Sequence, residues 1–158
     1  SIAVNGVCLT VIAKTDDSFT IDASAETLRC TAGLNQVGNQ VNLEKAMRLS
    51  DRLGGHLVSG HVDGVGQVIE WNPIGDCMEL LIQLPEALAK YTADKGSICV
   101  NGVSLTTNRA WDGKVSINLI PHTLQQTNLH ALTVGAPVNI EVDQIARYVE
   151  QMLRYAGK

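Results

Sequence analysis

Short apolar runs, interrupted every few positions by turn-forming residues, dominate the chain. Val11-Ile12-Ala13 and Phe19-Thr20-Ile21 are β-prone, and Asp16-Asp17-Ser18 supplies turn chemistry between them. Val115-Ser116-Ile117-Asn118-Leu119 alternates strictly after the turn Asp112-Gly113, as a half-buried strand does. Residues 65–70 and 78–84 read as further strands. Asn5-Gly6 and Asn101-Gly102 are hairpin turn signals. Two stretches follow a helical pattern. Residues 44–53 are rich in helix formers and stop at Gly54-Gly55, which predicts a linking helix with a glycine cap. Residues 143–156 place Ile145, Val149, Met152 and Leu153 on one face and pair Glu150 with Arg154 at i,i+4, with Asp143 where an N-cap belongs. Such a terminal apolar stripe predicts packing on the helix's own domain or on a partner subunit.

Self-comparison organises these elements. SIAVNGVCLT (1–10) and SICVNGVSLT (97–106) agree at eight of ten positions, and 13 of 31 positions agree when the comparison runs to Thr31 and Thr127. GNQVNLE (38–44) answers GAPVNIE (135–141). Two copies of one unit lie in tandem, and many short, closely spaced strands make each a small antiparallel barrel. The division is residues 1–54 (a first barrel and the linking helix), 55–142 (a second barrel) and 143–158 (a terminal helix). The second copy carries strand-like segments before SICVNG, whereas the chain begins at SIAVNG with Ser1. A barrel without its opening strands exposes edges, so roughly 40 residues of the natural protein are expected to precede Ser1.

Composition narrows the function. The chain has 158 residues, 45% of them apolar, and a net charge of −4. It is large enough for one core or two small ones, and too acidic to favour nucleic acid or an anionic membrane. No apolar run reaches the roughly 18 residues of a membrane helix, and no signal peptide is visible. Cys8, Cys30, Cys77 and Cys99 form no CxxC pair, so zinc-ribbon and thioredoxin readings lose support and reduced thiols in a cytoplasmic setting are expected.

The candidate chemistry sits at matched positions. Cys8 and Ser104 are equivalent in the two copies, a thiol facing a hydroxyl, either a nucleophile pair or small buried strand residues. Thr10 with Thr106, and Thr27 with Thr123, are matched hydroxyls that suit a polar ligand or simply strand propensity. His56 and His61 lie in GGHLVSGHVDGVG. A separation of five puts them on opposite faces of an extended strand, unable to share a metal, so no metal is expected. Asp143 reads as a cap and Lys95 as a solvated charge.

At SIAVNGVCLTV, GGHLVSGHVDG, SICVNGVSLT and LIPHTLQQT the chain closely resembles the riboflavin synthase alpha-chain family over its whole length. The resemblance implies an all-β fold of two tandem Greek-key six-stranded β-barrels, the first incomplete here, with a C-terminal α-helix through which three chains assemble as a homotrimer. It implies dismutation of two molecules of 6,7-dimethyl-8-ribityllumazine to riboflavin and 5-amino-6-(ribitylamino)uracil. No cofactor is implied, although a flavin or lumazine can be bound, and association with lumazine synthase is a further implied partnership. The site would form between the first barrel of one subunit and the second barrel of its neighbour. Carried over residue by residue, Cys8 is the first-barrel active-site cysteine, with Ser1, Val7, Leu9 and Thr10 beside the ligand. Asp22, Ala23, Ser24, Ala25, Glu26 and Thr27 match a strand whose backbone grips the ring. Ser104, Leu105 and Thr106 play the matching part in the second barrel. Ile120, Pro121, His122, Thr123, Leu124 and Gln125 match its backbone strand. Gly60, His61 and Val62 match a segment lining the second-barrel pocket, Lys95 a further contact, and Asp143 an acid supporting Ser104. His61, water or a substrate anion are the candidate bases; Cys8, Ser104 or hydroxide are the candidate nucleophiles. Asn101 stands where some relatives carry an acid. The rival reading is a non-catalytic antenna protein that holds a lumazine or flavin.

Overall fold

The computed structural model describes residues 1–157. The first repeat contributes β1 (Ile2–Val4), β2 (Val7–Leu9), β3 (Val11–Lys14), β4 (Phe19–Ile21), the helix α1 (Ala25–Cys30) and β5 (Leu43–Lys45). The second contributes β6 (Gly64–Ile74), β7 (Cys77–Gln83), α2 (Glu86–Ala89), β8 (Ser97–Val100), β9 (Val103–Thr106), β10 (Arg109–Trp111), β11 (Lys114–Leu119), α3 (Pro121–Gln126), a 3-10 turn (Asn128–Ala131) and β12 (Pro137–Val142). The helix α4 (Gln144–Ala156) closes the chain, with Asp143 Oδ1 accepting from the Ile145 N–H at 2.9 Å as its cap.

Sequence identity between the repeats becomes identity of register. In the β1–β2 hairpin Ala3 faces Cys8, and in the β8–β9 hairpin Cys99 faces Ser104. Each hairpin turns through a left-handed Asn-Gly pair: φ is +48° at both Asn5 and Asn101, and positive at Gly6 and Gly102. β1 then pairs with β5 as β8 pairs with β12. In the second repeat one antiparallel sheet runs β10-β11-β7-β6-β12-β8-β9. It curls until its two edge strands are joined by Thr107 and Asn108 alone. The curl encloses Leu80, Ile82, Ile98, Ile117, Leu119 and Ile140, all fully buried. Seven strands appear where six are expected because the run from β9 to β10 is split. The Thr107 N–H bonds Gly96 O beside β8 and the Asn108 N–H bonds Ser116 O on β11, so the run changes partner strand between these two residues.

The first repeat keeps sheets β2-β1-β5 and β3-β4. Among the described residues it has no counterpart of β6 and β7, and its buried apolar residues are Val4, Val7 and Leu9.

The linking helix expected over 44–53 is absent. Leu43–Lys45 pairs with β1, Ala3 facing Glu44, and residues 46–53 follow as irregular chain. Met47, Leu49 and Leu53 stay exposed, so a helix here would have no apolar face to bury, and strand pairing overrides local propensity. The expected backbone strands at 22–27 and 120–125 are likewise helical starts. Ser24 Oγ accepts the Thr27 N–H at 3.0 Å to begin α1, and Pro121 occupies the first turn of α3.

The repeats are fastened to each other by a reciprocal set of asparagines. The Asn42 N–H donates to Asn5 Oδ1, and the Asn139 N–H to Asn101 Oδ1, both at 2.8 Å. Asn42 Nδ2 then crosses to Asn101 O, and Asn139 Nδ2 crosses to Asn5 O. The turns touch so closely that a Cβ on Gly6 would lie 2.6 Å from Gly102 N. A pseudo-two-fold axis therefore passes between the Asn-Gly turns, and it brings the matched strands β2 and β9 to one side of the molecule.

Candidate functional site

Strands β2 and β9 carry Cys8 and Ser104 to neighbouring clefts under a strap formed by residues 46–60. Beside Cys8 the cleft is about 110 Å³, lined by Ser1, Glu44, Lys45, Ser59 and Gly60 among others. Beside Ser104 it is about 380 Å³, lined by Arg52, Gly54, Gly55, His56 and Gly102 among others. Glu44, Lys45, Met47 and Val58 belong to both. The Cys8 cleft is smaller than the roughly 300 Å³ at which ligand pockets begin.

The strap reaches Ser104 through His56. Ser104 Oγ lies 2.8 Å from His56 Nδ1 and accepts the His56 backbone N–H at 3.2 Å. In the tautomer with the proton on Nε2, the Ser104 hydroxyl donates to Nδ1 while its oxygen accepts the backbone N–H. His56 Nε2 is buried and has no partner among the described residues. Burial lowers the His56 pKa below its usual value, and the charges of Asp143 and Glu141 oppose that shift. The imidazole is thus held neutral near pH 7, in the state that can accept a hydroxyl proton.

Sequence reasoning missed this pair. The signal was Gly54-Gly55, read as a helix cap: a Cβ on Gly55 would stand 2.3 Å from Ser104 Oγ, so glycine is what lets the strap approach. Asp143, expected to support Ser104 directly, caps α4 and acts on His56 through its charge.

The segment after His56 turns to the other repeat. The Cys8 N–H donates to Gly60 O at 2.8 Å, and a Cβ on Gly60 would lie 2.8 Å from Cys8 Cβ. Val62 packs against the first repeat's small core. Gly60 and Val62, expected in the second-barrel pocket, therefore sit on the first repeat. His61 is exposed and lines a separate groove with Glu141, Gln144 and Arg147 along α4. Beneath it, the Glu141 carboxylate accepts the Ser59 N–H at 2.6 Å and the His61 N–H at 2.9 Å.

Other expected contacts lie elsewhere. Val7 and Leu9 point into the core, each 6% exposed, so only their backbone faces outward. Leu105 packs on the second core. Thr10 and Thr106 are exposed and line neither cleft. Glu26 is engaged by Arg29, whose hydrogen bond lowers its pKa to about 2. Lys95 is exposed in a left-handed turn with φ of +60°. Residues 22–27 and 120–125 line neither cleft.

Comparison with known proteins agrees with this architecture. The family model for the lumazine binding domain matches residues 1–46 and 59–143, one segment per repeat. The chain is 46% identical over 155 residues to the riboflavin synthase of Photobacterium leiognathi, covering 98% of this chain and 71% of that protein. It is 42% identical to the riboflavin synthase of Bacillus subtilis, over all of this chain and 74% of the relative. Among solved structures, LumP complexed with riboflavin superposes with a TM-score of 0.81 at 30% identity, over 89% of this chain and 77% of LumP. LumP complexed with 6,7-dimethyl-8-(1'-D-ribityl) lumazine superposes with a TM-score of 0.78 at 29% identity, over 89% of this chain and 76% of LumP. With both repeats matched by the model and nearly the whole chain aligned to named enzymes, the chain belongs to the riboflavin synthase family of lumazine-binding enzymes.

Proposed function

We propose that the chain converts two molecules of 6,7-dimethyl-8-ribityllumazine into one riboflavin and one 5-amino-6-(ribitylamino)uracil. The observation that carries this reading is the Ser104–His56 pair in one repeat, set against the Cys8 thiol at the matched position of the other. Two like half-sites suit two like substrates. One ring gives up a four-carbon unit and the other takes it, so the atoms of the two lumazines account for both products, without an outside oxidant or cofactor. Ser104 adds to C7 of the donor ring as its proton passes to His56 Nδ1 and the π pair displaced from C7 moves into the conjugated ring, while the backbone N–H on Oγ orients the hydroxyl. Cys8 faces the acceptor ring, whose 7-methyl proton must leave; His61, water or the second ring takes it. Much of the acceleration comes from holding the rings opposed.

The size of the Cys8 cleft supports a site completed by a neighbouring chain. So does α4, where Ile145, Tyr148, Val149 and Met152 all stand exposed at helical spacing, a face suited to helix association in a trimer. A second reading, a lumazine- or flavin-holding antenna, is favoured by the superposition on LumP. Incubation with the lumazine separates the two. Growth of riboflavin absorbance at half the rate of lumazine loss is the expected result; stable stoichiometric fluorescence without product would replace the enzyme with the antenna. Sedimentation at the mass of three chains is expected alongside.

A further inference from the structure

We infer that Glu141 is a positioning residue for the Cys8 half-site, acting through the segment 59–61; the inference rests on the function proposed above. Glu141 is 3% exposed on β12, a position flanked by the core residues Ile140 and Val142. A carboxylate buried there is costly unless its oxygens are occupied. Both are. One accepts the Ser59 N–H and the other the His61 N–H, and between those donors Gly60 adopts φ of +76°. Alternate backbone N–H groups converging around a left-handed glycine form an anion nest, and here the anion is a side chain of the same molecule.

The nest points its other surface at Cys8. Gly60 O accepts the Cys8 N–H, and the glycine backbone packs directly on the Cys8 side chain. A chain of contact thus runs from the last strand of the second repeat, through two charge-assisted hydrogen bonds, to the thiol of the first. Asp63 reinforces the same register: its N–H donates to Ile140 O at 2.7 Å and its carboxylate accepts the Val142 N–H at 2.8 Å. The repeat supplies an internal control. Glu44 holds the matching place on β5, yet it is exposed and lines the cleft, so burial of Glu141 is not a property of the strand position itself. What distinguishes Glu141 is the segment it grips.

Glu141→Gln replaces one acceptor with an amide N–H facing a backbone donor, at nearly constant volume. Glu141→Asp keeps the charge one methylene short. In each, riboflavin formation, riboflavin affinity and the site-resolved alkylation of Cys8 by iodoacetamide are measured, with thermal unfolding to establish folding. For Glu141→Gln, kcat is expected to fall about 10- to 100-fold, the scale of an ångström-level misplacement, while KM changes far less. Cys8 alkylation speeds up severalfold with Cys30 unchanged, and Glu141→Asp recovers part of both effects. Wild-type rates of turnover and of Cys8 alkylation in a folded Glu141→Gln protein overturn the proposal. Failure of both variants to fold also overturns it, because Glu141 then serves the fold alone. Alkylation needs no turnover, so a wild-type protein that makes no riboflavin defeats the function above and leaves the Glu141 test standing.

Discussion

The two repeats share their hairpins, their registers and their left-handed turns, yet they bury very different amounts of apolar surface. The second encloses fourteen buried apolar residues in one cluster; the first has three. The difference follows from two strands. β6 covers β12 and β7 covers β11. The matching strands β5 and β4 have no such neighbours among the described residues, and Leu43 on β5 stands exposed where its counterpart Ile140 is fully buried. The same local sequence therefore yields the same hairpin in both places, while the strength of the structure around it depends on what is stacked alongside. The first repeat leans on the second for order, through the asparagine lattice and the strap 46–60. The comparison also extends to chemistry: the well-enclosed repeat holds its hydroxyl against a histidine, and the open one presents a thiol at an exposed position.

The sharpest way to break that chemical comparison is to remove one member of each half-site. Ser104→Ala or His56→Ala is expected to lower turnover by about 10²- to 10⁴-fold, the usual scale for a lost general base or activated nucleophile. Cys8→Ser, which keeps a small polar group, is expected to cost less, and to act on turnover more than on riboflavin binding. Steady-state rates with the lumazine, beside riboflavin titrations, measure both. A Cys8→Ser protein as impaired as Ser104→Ala would mean the half-sites contribute equally.

The structural comparison is tested next. Ile117→Ala, in a fully buried position, is expected to cost about 2–5 kcal/mol in denaturant unfolding. Leu9→Ala removes nearly as many carbons from a site 6% exposed with few neighbours, and is expected at or below the lower end of that range, about 2 kcal/mol. Equal losses would show that the first repeat is packed as tightly as the second.

A smaller effect is expected at the axis between the repeats. Gly102→Ala forces a Cβ to within 2.8 Å of Gly6 N at a residue with φ of +83°, and is expected to destabilise by about 1–3 kcal/mol. Because the turns meet at the repeat boundary, the loss should appear as broadened, less cooperative unfolding, with the first repeat melting ahead of the second. A single sharp transition merely shifted to lower denaturant would make the two repeats one cooperative unit.

Much of this was legible in the sequence. The duplication, the hairpin turns and the capped terminal helix are local signals, written in the Asn-Gly pairs and in Asp143 followed by an apolar stripe. Cys8 and Ser104 emerged from their equivalence alone. The failures share one cause. The stretch 44–53 has helical composition, but pairing of Glu44 opposite Ala3 decides its state, and that contact spans about forty residues of chain. His56 was set aside because spacing along a chain carries no information about a strap folding back on β9. Glu141 carries no local signal in the sequence because the nest that buries it lies some eighty residues earlier.

The gentlest test uses acid rather than mutation. Burial places the His56 pKa below its usual 6.5. In the unfolded chain the ring returns to that ordinary value, so between the two pKa values the unfolded state binds more protons than the folded one. Stability accordingly rises with pH across that window, reaches its full value above about 6.5, and is lost as pH falls from there toward the folded pKa. The ring is only partly buried and Asp143 and Glu141 act against the shift, so solvent screening limits the contribution to less than about 1 kcal/mol. His56→Gln should flatten this part of the pH–stability curve while leaving its alkaline side in place. The same titration acts on activity in the same direction, because a protonated His56 cannot accept the Ser104 proton. The acid limb of kcat/KM is therefore expected to disappear in His56→Gln together with most of the rate. If that limb persists in the residual activity, the titrating base lies elsewhere, and the hydroxyl half-site is no better equipped for proton transfer than the thiol half-site it mirrors.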